Sequence, residues 1–278
     1  MWRDPLGDKM AAEEGPPALG AYTNDPDMVE LMAHMGFDFV FIDQMFTSTD
    51  WQKCELLIRT AEAAGITPII RLQSHPWAGY DPRLAVDLSR VMGIGAKYVR
   101  VSVSGIEEVR DCVGVSRDWH RKAMHIHPFN SFEEWESGID EMARRTVLMP
   151  SAETVKSVTE YESIMAIPEI KVFTFGMTDA SRVLGNSERP DWYSPQLWEM
   201  VDHAVELGRA TGTLIGANTS YAYTMEEMHS RVMRLTQHGV RVILVQGAPF
   251  LFQLAVGKFL NELRDEIDSL VPAPPLAS

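Results

Sequence analysis

The sequence predicts an α/β chain folded as a single (β/α)8 TIM barrel. Eight short β-branched or aromatic runs alternate along it with longer helix-period segments. Such a barrel takes about 250 residues, so a length of 278 leaves room for short flanking pieces only. The third observation is chemical. Acidic residues stand where several of these runs end, the face on which a parallel barrel assembles its site.

The first strand reads as Ala18–Tyr22. Asn24 and Asp25 then start a helix over 25–34, which Gly36 ends. Phe37–Asp43 is the second strand, and Gly65 closes the helix over 51–64 that follows it. A third strand over 67–72, a helix over 82–91 and a fourth strand over 98–103 continue the alternation. Gly105–Phe129 is the least regular part and is expected to form a long loop over the barrel mouth. Ser131 with Glu134 reads as a capping box for a helix over 131–144. The remaining strands are expected over 146–152, 171–176, 213–217 and 241–246, with helices over 154–164, 195–210, 225–236 and 251–263. Residues 1–16 and 266–278, rich in Gly, Pro, Ala or charge, read as flexible segments around a catalytic barrel over 17–265. An open doubly wound sheet is the alternative arrangement of the same elements.

A formal net charge of −14 argues against a nucleic-acid surface. Cys54 and Cys112 lie far apart, in no zinc or redox spacing, which points to a reducing compartment. No run approaches about 18 apolar residues and none resembles the apolar part of a signal peptide, so no membrane partner is expected and the cytoplasm is the expected location.

The polar residues at strand ends are Asp43, Arg71, Glu153, Asp179, Asn218 and Gln246. Glu153 and Asp179 supply half of an oxygen-rich site for a hard divalent cation. Asp43 also reads as an ion-pair partner that orients Arg71, or as a group that orients a metal-bound water.

With Gly36-Phe-Asp-Phe-Val-Phe-Ile-Asp43, Pro68-Ile-Ile-Arg71, Gly93-Ile-Gly-Ala96, Glu153-Thr154 and Phe175-Gly-Met-Thr-Asp-Ala-Ser181, the chain resembles the HpcH/HpaI aldolase/citrate lyase family, the class II pyruvate aldolases. Asp43 and Arg71 lie 28 positions apart (71 − 43) and Glu153 and Asp179 lie 26 apart (179 − 153), as that pattern has them. The resemblance implies a divalent cation (Mg2+, Mn2+ or Co2+) held by Glu153 and Asp179 against the carboxylate and keto oxygens of a 2-oxo acid. It implies that Arg71 contacts the keto oxygen. It also implies that the peptide N–H groups around Gly176, Met177 and Thr178 hold the substrate carboxylate. A homo-oligomer, hexameric or trimeric, with the last helix packed on a neighbour, belongs to the same expectation.

The departures are as specific. The family usually has a His three positions after the Asp of the second strand, paired with an Asp in Leu-Asp-x-Gly-Ala, and those positions here hold Phe46 and Gly93. Met45 stands where Glu is common, so this side of the pocket is more apolar, and Phe46 is expected to touch a substrate with an apolar or aromatic portion. His75, four residues past Arg71, is the expected proton carrier, with His125 and His127 as further candidates. Trp77, Tyr80, Trp119, Phe46 and Phe129 read equally as an aromatic pocket and as a capped barrel mouth with subunit contacts.

The expected activity is thus carbon–carbon cleavage of a 2-oxo acid through a metal-stabilised enolate. The alternatives are a decarboxylase or condensing enzyme using the same site, or a metabolite-binding homologue without turnover.

Overall fold

The structure, a computed structural model, describes residues 3–12, 14–119, 131–134, 146–185 and 187–270. Eight parallel strands close into a barrel in sequence order: β1 Ala18–Tyr22, β2 Phe39–Asp43, β3 Thr67–Arg71, β4 Tyr98–Val103, β5 Val147–Ala152, β6 Val172–Phe175, β7 Leu214–Asn218 and β8 Val242–Gly247. β8 pairs back onto β1, with Ala18 opposite Val242.

Strands buried on both faces sort their residues by a period of two. One set (Ala18, Phe39, Phe41, Ile69, Tyr98, Met149, Val172, Val242) fills the barrel interior. The alternate set (Val40, Ile42, Ile70, Val99, Val101, Leu148, Phe173, Ile215, Ile243) packs outward against the helices. Those helices are α2 Pro26–Met35, α3 Trp51–Ala64, α4 Arg83–Gly93, α5 Ile106–Trp119, the short pair α6 Val155–Thr159 and α7 Tyr161–Met165, α8 Met177–Gly185, α9 Pro195–Thr211, α10 Met225–Gln237 and α11 Ala248–Leu270. Their ends follow local chemistry. Asp25, Asp50, Thr154, Ser194 and Thr224 cap N-termini, and Gly36, Gly65 and Gly212 end helices in the left-handed region, where a Cβ would be strained.

Four expectations change. Residues 1–16 were expected to be loose, but Pro5–Ala11 form a helix, α1, that closes the bottom of the barrel. Its Leu6 is fully buried against the interior set, a burial that stabilises by about 1.5–3 kcal/mol. The expected boundary at 265 also moves, because α11 continues through Leu270. The irregular stretch after Gly105 contains α5, whose Val109, Cys112 and Val113 bury one face at helical spacing. The helix expected over 154–164 is two short ones that share Glu160 as cap. His125, His127, Phe129, the Trp119 side chain and residues 135–144 of the expected sixth helix lie outside the described residues. Among the described residues no helix is long and apolar enough to cross a membrane.

Candidate active site

Carrying the interior parity to the C-terminal ends of the strands brings Tyr22, Asp43, Arg71, Arg100, Ser102, Ser151, Glu153, Asn218 and Gln246 to one mouth. Register ties them together: Asp43 stands beside Arg71, Arg71 beside Arg100, and Ser102 beside Ser151.

Glu153, one residue past β5, is 4 % exposed. Its Oε1 accepts from Arg100 Nη2 at 3.0 Å, Ser151 Oγ at 3.0 Å and Ser102 Oγ at 3.1 Å. No such partner faces Oε2 among the described residues. The stem is backed by Gly176, where an added Cβ would come within 2.8 Å of Glu153 Cγ, so glycine is required at that position.

Asp179 was expected where a strand runs out; it stands instead in the first turn of α8, immediately after β6. Burial and then the Glu153 charge raise its carboxyl above the usual range, with Arg182 and Arg100 acting in opposition. The Arg182 contact is long, at 3.5 Å. Glu153 and Asp179 together line a cavity of about 610 Å³, walled also by Ser104, Trp77 and Tyr80.

Arg71 donates to both Asp43 oxygens, Nε to Oδ1 at 2.9 Å and Nη2 to Oδ2 at 2.5 Å. Both side chains are largely buried, so the pair fixes the guanidinium plane. Phe46 is exposed and stacks on that guanidinium, its ring centroid 4.7 Å from Cζ. His75 is exposed at the start of the 3-10 turn Pro76–Ala78; the cavity is walled by Pro76 and Trp77 rather than by His75 itself. Of the expected carboxylate-binding peptides, the Gly176 N–H donates to Ala152 O at 3.3 Å. Met177 and Thr178 open α8, where N–H groups have no partner within the helix. The Thr178 hydroxyl meets that of Ser220 at 2.5 Å.

Sequence reasoning missed Arg100 and Tyr22. Arg100 is 5 % exposed, burial holds its guanidinium below the usual value, and the Glu153, Arg71, Asp43 and Asp179 charges all act on it. An arginine alternating with valines in a strand buried on both faces was the available signal. Tyr22 ends β1, and the charges of Asp43 and Arg71 act on its phenol. Its ring crosses Gly247, where a Cβ would come within 2.3 Å.

Among the described residues no group of three or more His, Cys, Asp or Glu could enclose a metal. The two carboxylates nonetheless fit a hard cation that keeps waters and substrate oxygens in its remaining positions. Among the described residues nothing donates to Oε2 of Glu153, and burial together with the Glu153 charge raises the neighbouring Asp179 carboxyl.

The profile of the HpcH/HpaI aldolase/citrate lyase family matches residues 21–247. Among solved structures, the citrate synthase SbnG is 22% identical with a TM-score of 0.72, covering 91% of this chain and 95% of that one. An HpcH/HpaI aldolase/citrate lyase family protein from Burkholderia cenocepacia J2315 is 18% identical with a TM-score of 0.73, covering 94% and 99%. The CitE protein from Mycobacterium tuberculosis, in complex with magnesium and acetate, is 16% identical with a TM-score of 0.54, covering 87% and 88%. At these identities the likeness is one of fold. No curated protein sequence matches the chain.

Proposed function

This chain belongs to the HpcH/HpaI aldolase/citrate lyase family, and from that premise we propose that it makes or breaks a carbon–carbon bond next to the keto group of a 2-oxo acid. The observation that carries the reading is Glu153 with Oε2 open beside Asp179 in one cavity at the barrel mouth. These residues would hold Mg2+, Mn2+ or Co2+, and the magnesium in the fold relative CitE supports that choice. A bound cation supplies positive charge where an enolate develops.

The chain's own side chains do the rest. Arg71, held in plane by Asp43, is proposed to donate to the keto oxygen as it gains charge, an interaction stronger in the transition state than in the ground state. The free N–H groups of Met177 and Thr178 are proposed to take the substrate carboxylate. Phe46 gives the keto side an apolar wall suited to a substrate with an apolar or aromatic portion. His75 is proposed as proton carrier on the strength of its place in the loop that walls the cavity. Arg71→Met and Glu153→Gln are the first variants to compare in an assay of pyruvate release from a panel of 4-hydroxy-2-oxo acids. Binding without turnover across the panel would contradict the lyase and favour a metabolite-binding protein.

A second reading is favoured by Phe46 and Gly93, which stand where the family's proton-transfer pair would be. Decarboxylation or condensation through the same enolate does not require a base to strip a hydroxyl, and the citrate synthase SbnG is a fold relative.

A homo-oligomer is proposed as well. On α11, Phe252, Phe259, Leu260, Leu263 and Ile267 are exposed at near-heptad spacing, an apolar stripe suited to a second copy. Light scattering on wild type and Phe259→Asp tests it, an unchanged mass in the variant being the contrary result.

A further inference from the structure

Arg100, Ser102 and Ser151 stand outside the residues by which the family was recognised, yet all three converge on one atom. Oε1 of Glu153 takes a bond from each within 3.1 Å, and Arg100 Nη2 also reaches Ser151 Oγ at 2.6 Å. Every member is buried, and Ser102 and Ser151 are register partners on adjacent strands, so the donors are fixed by the barrel itself. Among the described residues Arg100 Nε has no hydrogen-bond partner, and Nη2 bonds to Glu153 and Ser151. Swinging Oε1 onto a cation would take from a buried arginine the one carboxylate that it hydrogen-bonds among the described residues, an unfavourable change.

We propose that Arg100, Ser102 and Ser151 form a selectivity device that restricts Glu153 to a single open oxygen, Oε2, so that the site takes a small octahedral cation and disfavours Ca2+. The inference rests on the cation site proposed above and deepens it. Ca2+ takes six to eight oxygens at about 2.3–2.6 Å and gains from bidentate carboxylates, whereas Mg2+ and Mn2+ are satisfied by single oxygens in a six-fold shell. A glutamate locked on one oxygen, with Asp179 the other carboxylate lining the cavity, denies Ca2+ the bidentate Glu153 contact from which it would gain. Releasing Oε1 restores that contact.

The test is binding, independent of turnover. Mn2+ and Ca2+ are titrated calorimetrically into wild type, Arg100→Met, the double variant Ser102→Ala/Ser151→Ala, and Glu153→Gln. Wild type is expected to prefer Mn2+ by tenfold or more, and freeing Oε1 to cut that preference about tenfold, chiefly through tighter Ca2+. Circular dichroism checks each fold. Should Arg100→Met fail to fold, the double variant, which removes only two hydroxyls, carries the comparison. Mn2+ binding that is lost in Glu153→Gln while the Mn2+/Ca2+ ratio stays the same in the freed variants would overturn this inference and leave the cation site standing. Absence of Mn2+ binding in wild type would overturn both.

Discussion

The closed and open ends of the barrel both hold aspartates in partly buried settings, and they treat them in opposite ways. At the bottom, Asp4 caps α1. It takes the Gly7 N–H at 3.0 Å and the Thr67 hydroxyl at 2.8 Å on Oδ1, and the Tyr98 hydroxyl at 2.9 Å together with Lys97 on Oδ2. Burial alone would raise this carboxyl, but Lys97 and the other donors outweigh it and hold the group below its usual range. At the mouth, Asp179 has one long contact to Arg182, and burial with the Glu153 charge holds it above that range. The bottom satisfies its acid within the chain; the mouth leaves its acid, among the described residues, with only the distant Arg182. Stability and function are thus divided between the two faces, as expected of this architecture.

The comparison can be broken at either end. The largest effect is expected at the mouth: Arg71→Met should lower kcat per folded molecule by about 10²–10³-fold, the scale of a lost oxyanion donor, and should also lower the melting temperature, because it strands the buried Asp43 carboxylate. Steady-state turnover and a thermal melt of the same sample check both halves. Leu6→Ala should act on stability alone. Emptying that fully buried position is expected to cost about 2–5 kcal/mol in urea unfolding while turnover per folded molecule is retained.

Asp4→Asn should cost less, about 1–2 kcal/mol at neutral pH from the weakened cap and the stranded Lys97. The sign with pH follows from linkage. The folded carboxyl titrates below its ordinary value, so its contribution is complete above that unfolded value and is lost as pH falls through the folded one. Wild type and variant should therefore converge below about pH 4. Unfolding curves that keep a constant gap down to pH 2 would be inconsistent with this.

The smallest effect is expected at Asp179. Its raised carboxyl means that the fold binds that proton more tightly than the unfolded chain, so ionisation at neutral pH weakens the fold. Asp179→Asn should raise the melting temperature of metal-free protein by about 2 °C while abolishing Mn2+ binding. A variant that melts lower would show the mouth to be satisfied after all.

The barrel was legible because its strands are apolar runs bounded by glycine and acid, as in Phe39–Asp43. What escaped did so for local reasons. The buried stripe of α8 consists of Met177, Ala180 and Ser181, too small and polar to register as a hydrophobic face. In α5, Gly114 interrupts the pattern set by Val109, Cys112 and Val113. α1 looks like a loose terminus until its Asp-Pro start is weighed as cap and first turn. At the site, the acids and Arg71 were legible from position and resemblance, whereas Arg100 was hidden because its partners lie 51 and 53 residues away and only closure of β4 against β5 brings them together. His75 was read from its place in the chain alone, and its side chain is exposed beside the cavity that Pro76 and Trp77 wall.

The most direct test of the proposed cation-assisted enolate is decarboxylation of oxaloacetate, which forms the enolate of pyruvate as carbon dioxide departs and asks for no base. Initial rates would be measured with Mg2+ and with chelator, for wild type, Glu153→Gln and Asp179→Asn, over the uncatalysed background. The expected result is a Mg2+-dependent rate in wild type that falls at least about 100-fold in both variants. A rate that survives chelator, or that both variants retain, would contradict the claim that these two carboxylates hold the cation.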